Sequence, residues 1–310
     1  MLDELALPGS GAGATLGRWR AMAQLAREDL SLARLAEGHA DTRAVLAELG
    51  RGDLLERPGS DGRLGVWAAE PHLLRAEPTD TGWCLDGTKA WCSGSLALDA
   101  ALVAATAPDG PRLFLLSPAE PSITAVGGSW EPLGMEPTRS ETLRFHMVAL
   151  APDAAVGEPA AYVMRPGFGH GGAGVAACWW GGAVGVVDAL QRAVAAGADD
   201  DVAAALGSAA ADLAAAWSCL VEAATDIDER PLDLALANRI ANRVRLAVGE
   251  TVRRALHLTV EALGAAGLCH DPRHAGRVAD LIVYLSMLRR RSSEVAYGRA
   301  VADCWTELAW

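Results

Sequence analysis

The chain has 310 residues, of which 51% are apolar and 21% charged, a composition too apolar for a disordered segment and too charged for a membrane bundle. Its 39 acidic side chains outnumber its 27 basic ones, and the formal charge of −12 disfavours a nucleic-acid partner, because neutralising phosphates requires a basic face. At roughly 100–200 residues per domain, the length predicts two or three packed units.

The chain opens on Met1-Leu2-Asp3-Glu4, acidic where a signal peptide is basic. Gly9-Ser10-Gly11-Ala12-Gly13 has no strand before it and reads as a lead-in to a helix, not a dinucleotide fingerprint. From Thr15 to Leu49, Trp19, Met22, Leu25, Leu30, Leu32, Leu35, Val45, Leu46 and Leu49 recur at threes and fours. This spacing predicts two helices or one bent one, interrupted near Gly38, with Asp41 and Thr42 capping the second half. The cluster Arg57-Pro58-Gly59-Ser60-Asp61-Gly62 marks a boundary.

Short apolar segments follow at Leu64–Ala69, Ala101–Thr106, Arg112–Leu116, Ser122–Val126 and Thr142–Val148. Turn signals separate them, among them Asp80-Thr81-Gly82, Asp86-Gly87 and Pro108-Asp109-Gly110, and the pattern predicts an antiparallel sandwich or barrel. After Pro166-Gly167 the period becomes helical. Gly174–Ala195 and three stripes, Val202 to Ile227, Ile240 to Leu263 and Val278 to Val295, predict four consecutive helices. The longest apolar run, about Ala173 to Val187, is shorter than the ~20 residues a bilayer requires. Six cysteines without a Cys-x-x-Cys pair read as apolar fillers in a reducing compartment. The expectation is an α+β, cytoplasmic protein without a membrane partner. It would have an N-terminal helical segment (1–58), a β domain (59–160) and a C-terminal four-helix bundle (161–310).

That order resembles the acyl-CoA dehydrogenase superfamily of flavoproteins, and particular residues carry the likeness. Trp67-Ala68-Ala69-Glu70-Pro71 stands where that family has Thr-Glu-Pro, and Leu85-Asp86-Gly87-Thr88-Lys89-Ala90-Trp91-Cys92-Ser93 resembles its Leu-x-Gly-x-Lys-x-Trp-x-Thr/Ser segment. Leu133-Gly134-Met135-Glu136-Pro137-Thr138-Arg139-Ser140 is similar to its Leu-Gly-Met-Arg-x-Ser/Thr turn. Ala262-Leu263-Gly264-Ala265-Ala266-Gly267 and Arg277-Val278-Ala279-Asp280 are similar to the Gly-Gly-x-Gly turn and Arg-Asp pair at its last helix. The resemblance implies FAD, with Trp91 as an apolar platform for the ring and the Ser93 hydroxyl at its N5/O4 edge. Ala69, Cys92 and Gly264 fall at further cofactor-contacting positions. The partners implied are acyl-CoA or a carrier-bound acyl thioester and other subunits, in a homo- or hetero-oligomer. Trp179, Trp180, Trp217, Trp305 and Trp310 are also more aromatic bulk than a bundle of this size hides alone.

Departures from the family pattern bear on the reaction. Ala69 lacks the hydroxyl of Thr-Glu-Pro. The acidic Asp199-Asp200-Asp201 stands where an Arg-x-x-Phe-Gly segment clasps a neighbouring subunit's diphosphate. The family's usual catalytic Glu falls at Leu288, followed by Arg289, Arg290 and Arg291, none of which accepts a proton at neutral pH. The substitute base expected from the resemblance is His170, in the glycine-rich stretch before the first bundle helix, with His39 as a second polar residue of the acyl pocket. The leading expectation is an FAD-dependent α,β-desaturase of an acyl thioester. The alternatives are a flavin monooxygenase on the same fold, which needs no α-proton base, and a non-catalytic subunit of a heteromer. A hydrolase is excluded because no Gly-x-Ser-x-Gly elbow exists.

Overall fold

The computed structural model describes residues 13–56, 62–302 and 305; the opening lead-in through Ala12, the turn residues 57–61, Cys304 and Trp310 lie outside the described residues. Two helices, α1 (Thr15–Glu28) and α2 (Leu30–Glu48), precede eight strands. These are β1 (Leu64–Trp67), β2 (Leu74–Thr79), β3 (Gly82–Cys92), β4 (Ala100–Ala107), β5 (Gly110–Leu116), β6 (Ile123–Ala125), β7 (Glu141–Leu150) and β8 (Ala155–Val156). Among the described residues five helices follow: α3 (Pro166–Ala195), α4 (Asp200–Glu229), α5 (Leu234–His270), α6 (Pro272–Leu285) and α7 (Arg290–Ala302). The α+β order read from the sequence is the order observed.

The chain forms two compact units. One, the β unit, is Arg34–Pro132 with Glu136–Gly167; the other, the helical unit, takes α1 and the start of α2 up to Ala33, Leu133–Met135 and the described residues from Phe168 onward. The division falls inside α2.

In the β unit the strand order is β6-β7-β3-β2-β4-β5-β8, with β1 also paired to β4. Because β1 and β2 both run parallel to β4, the sheet is mixed, a correction to the antiparallel expectation. β2 and β3 form a hairpin, and the chain then crosses to the far side of β2, which hairpin geometry cannot do antiparallel throughout. The run at Ala100–Ala107 is continuous rather than alternating because both faces of β4 are buried. Ala101, Val103 and Ala105 pack with Trp67, Leu85, Phe114 and Phe145, whereas Ala100, Leu102 and Ala104 pack with Val45 and Leu46 of α2 and with Leu113. Asp86-Gly87, expected as a turn, lies inside β3 as a bulge. The register against β7 shifts between Leu85 and Gly87, and a Cβ on Gly87 (φ 134°) would collide with the Leu73 carbonyl oxygen.

The first helical break lies at Asp29, not Gly38. Asp29 is extended (φ −148°, ψ 104°), and its carboxylate accepts from the Leu32 N–H, so it caps α2. Gly38 continues the helix, and Thr42, expected as a cap, donates its hydroxyl to the Gly38 carbonyl one turn back.

In the helical unit, glycines let α3 approach its neighbours closely. A Cβ on Gly181 would collide with the Ala23 carbonyl of α1, one on Gly185 would lie 2.6 Å from the Arg27 carbonyl, and one on Gly169 would lie 2.7 Å from the Ala237 carbonyl of α5. Asp199 accepts from the Val202 N–H, so the acidic stretch at 199–201 caps α4. The last stripe is two helices, α6 and α7, separated around Ser286–Arg289, because Met287 and Leu288 form a tight turn there. Trp179 is fully buried edge-on to Tyr284, and Trp180 packs 4.5 Å centroid to centroid from Trp217. Three of the tryptophans counted toward a partner surface are thus occupied within the unit. α3 and α4 are each long and apolar enough to cross a membrane by length and composition alone; 78% of that stretch is buried in α3 and 22% in α4.

Candidate functional site

The end of β3 departs from regular strand geometry. Between Lys89 and Cys92 the register against β7 shifts again, and Trp91 sits in the gap with φ 63°. A left-handed backbone at a bulky residue costs roughly 1–2 kcal/mol and persists only where surrounding contacts hold it. The bulge turns the indole outward: Trp91 is 56% exposed, while its neighbour Cys92 is fully buried with its thiol on the Lys89 carbonyl. Glu70, Ser95 and Arg139 share the positive φ at this same end of the sheet.

Several bonds fix the distortion. Lys89, fully buried, donates to the Ala69 carbonyl at 2.6 Å and to the Ala104 carbonyl at 2.7 Å. Burial pushes its pKa down to about 8, and the same burial pushes the Cys92 thiol up to about 12. Trp67 Nε1 donates to the Ser93 carbonyl, and Ser93 N–H closes a tight turn on the Trp91 carbonyl. Gly94 N–H donates to the Thr138 carbonyl at 2.7 Å, tying this turn to the one before β7. Across that tie three hydroxyls line up: Ser93 Oγ is 2.9 Å from Ser140 Oγ, which is 2.9 Å from Thr138 Oγ1. Beside them Ser95 donates to Glu141, whose carboxyl is held below its usual range first by that hydrogen bond and then by Arg139.

Of the residues singled out in the sequence, the fold brings Trp91, Cys92, Ser93 and Ala69 to one end of the β unit. Ala69 contributes through its carbonyl, as the anchor of Lys89. Ser140 and Thr138 are the residues that sequence reasoning missed. Their signal was two hydroxyls two residues apart beside a turn, a pattern that points to a network only once the pairing of β3 and β7 is known. His39 lies in α2 of the same unit, 4% exposed, with Nδ1 accepting from the Leu64 N–H, so its neutral ring carries the proton on Nε2.

The helical unit holds the remaining candidates. His170 is 3% exposed in the first turn of α3. Gly264 (φ 58°) breaks α5, and a Cβ there would meet nothing within 4 Å. Leu288 is buried, with its methyl group against Gly249 of α5. Two of the motifs meet here: the Met135 N–H donates to Asp280, and Gly134 lies so close to Ala279 that a Cβ would collide with its backbone. Burial raises the Asp280 carboxyl above its usual range, and the Met135 N–H opposes that rise.

An exposed indole flanked by a hydroxyl, at an end fixed by buried bonds, suits a planar heteroaromatic ring that needs an apolar face and a hydrogen-bonding edge. Among the described residues no cluster of His, Cys, Asp and Glu could hold a metal ion.

No family model matches the chain. A dibenzothiophene monooxygenase of Rhodococcus erythropolis is 33% identical over 97 residues, and one of Mycolicibacterium goodii is 31% identical over 159. Those matches span 29% and 44% of this chain and only 23% and 37% of the relatives' length. Among solved structures, TdsC of Paenibacillus sp. A11-2 in complex with FMN and indole superposes with a TM-score of 0.80 at 22% identity, covering 92% of this chain and 82% of that one. XiaF from Streptomyces sp., in complex with FADH2, gives 0.79 at 17%, covering 97% and 85%. Butyryl-CoA dehydrogenase of Megasphaera elsdenii gives 0.77 at 17%, covering 97% and 89%. The chain therefore has the acyl-CoA dehydrogenase fold, as its motifs suggested.

Proposed function

We propose that the chain is a flavin-dependent monooxygenase acting on a small apolar aromatic substrate. The observation that carries the reading is Leu288, a buried side chain at the position where the desaturases of this fold have their carboxylate. Taking an α-proton from an acyl thioester requires a base, which this position does not supply, whereas oxygen insertion needs no α-proton base. The curated relatives named as monooxygenases, and the neighbour that holds FMN and indole, support the same choice over acyl-thioester desaturation.

In this reading Trp91 gives the ring an apolar face, and Ser93 addresses its polar edge. Cys92 acts only by packing, its thiol kept protonated by burial. When bound, reduced flavin supplies the two electrons with which dioxygen yields one inserted oxygen atom and water. Neighbours of this fold hold FMN or FADH2, and FMN is the form we assign in place of the FAD first expected. In the helical unit we assign proton handling to His170 and a backbone role at the α5 break to Gly264. His39, its Nδ1 already engaged, serves the substrate pocket by shape.

The test is oxygen uptake with reduced FMN supplied by a separate flavin reductase, in the presence of indole or dibenzothiophene and labelled dioxygen. The reading expects substrate-dependent uptake and label in the product. Reduction of an electron acceptor by butyryl-CoA, without label incorporation, would restore the desaturase. Replacing His170 by Asn is expected to lower turnover about 100-fold without loss of FMN binding; unchanged turnover would remove that assignment.

A further inference from the structure

We infer that Ser140, backed by Thr138, is a positioning residue that lets Ser93 alternate between donating to and accepting from a bound flavin; the inference rests on the flavin reading above. A hydroxyl owns one proton and two acceptor lone pairs. In the row Ser93–Ser140–Thr138 both links are 2.9 Å, and in each pair either oxygen could be the donor. Ser140 is 9% exposed and Thr138 1%, so water does not readily replace either link.

The polar edge of an isoalloxazine changes character with its redox state. Oxidised, it offers acceptors at N5 and O4, so Ser93 directs its proton outward and accepts from Ser140. Reduced, it gains an N5–H donor beside the O4 acceptor. For N5, Ser93 then accepts outward and turns its own proton to Ser140, Ser140 turns its proton to Thr138, and the Thr138 hydroxyl hydrogen rotates away from the row. Rotation of each hydroxyl reverses the row, with no heavy atom moved and no bond broken. The backbone holds the oxygens in place meanwhile, through the Gly94 N–H on the Thr138 carbonyl and the Cys92–Glu141 pairing. A lone Ser93 serves the oxidised edge adequately. Facing the reduced edge, its inward proton has nowhere to go.

The experiment is an anaerobic titration of wild type, Ser140→Ala and Ser140→Thr with oxidised and with chemically reduced FMN. For Ser140→Ala the dissociation constant of reduced FMN is expected to rise about tenfold and that of oxidised FMN by less than about threefold. A tenfold difference between the two states corresponds to a bound-flavin midpoint potential about 30 mV more negative. Ser140→Thr, which keeps the hydroxyl, restores both constants. If Ser140→Ala does not fold, Thr138→Val must show the same sign of change at smaller size. Equal weakening of both states, or no change in either, would overturn the inference while leaving the flavin reading intact. Failure of the wild type to bind either form would defeat the flavin reading and this inference together.

Discussion

The end of the sheet around β3 and the helices α3 to α7 use unusual backbone in opposite ways. At the end of the β unit, Glu70, Trp91, Ser95 and Arg139 take a left-handed conformation that side chains disfavour, and one of them is an exposed tryptophan. In the described helices α3 to α7, positive φ is confined to glycine, at Gly264 and at Gly197 between helices, and the glycines of α3 permit close approach of neighbouring backbone. Strain borne by residues with side chains, where no packing benefit is visible, marks a place that does something. Glycine where space runs out marks a place that holds something together.

Four substitutions probe that contrast. The largest effect is expected in the helical unit. Gly181→Val must push its side chain into the Ala23 carbonyl, and urea unfolding should show a loss of about 3 kcal/mol or more. A loss below ~1 kcal/mol would show that α1 and α3 can move apart.

Lys89 gives a pH-dependent effect of similar size. Its folded pKa, about 8, lies below its ordinary 10.5, so between these values the unfolded chain binds more protons and stability rises with pH, by up to about 3 kcal/mol. Cys92 has the opposite sign: with its thiol raised from 9.0 to about 12, the folded chain keeps a proton that the unfolded chain loses, and stability falls over that window. Wild type is expected to gain stability from pH 8 to 9, level off, and lose it above 10.5. Lys89→Met removes the rise, and Cys92→Ala removes the fall. Chemical unfolding across this range checks both, and a rise that survives in Lys89→Met would assign it elsewhere.

The smallest stability effect is expected at the strained, exposed Trp91. Trp91→Gly relieves about 1 kcal/mol of backbone strain and adds comparable unfolded-state entropy, so net stability should move by less than ~1 kcal/mol. A loss of several kcal/mol would make the indole a structural residue.

What the sequence made legible follows from how local each cause is. The strands at Ala101–Thr106 and Arg112–Leu116 were visible because apolar runs and turns are local, as was the helical stripe from Val202 to Ile227. Asp86-Gly87 misled, because the same dipeptide makes a turn or a bulge depending on the partner strand. The break at Asp29 was hidden because both its neighbours favour helix, and only its own side chain ends one helix and begins the next. The residues at the end of β3 could be named from a motif. The outward turn of Trp91 and the hydroxyl row through Ser140 depend on the register of β3 against β7, which no single segment encodes.

The most direct test of the central claim is to titrate FMN with wild type and with Trp91→Gly while following flavin fluorescence. A ring lying on the indole is quenched as it binds, so wild type should quench saturably. In Trp91→Gly quenching should be lost and affinity weakened by up to about tenfold, the upper value for losing one aromatic stack. Equal quenching and equal affinity in the two proteins would show that the flavin, if held at all, lies against some other surface.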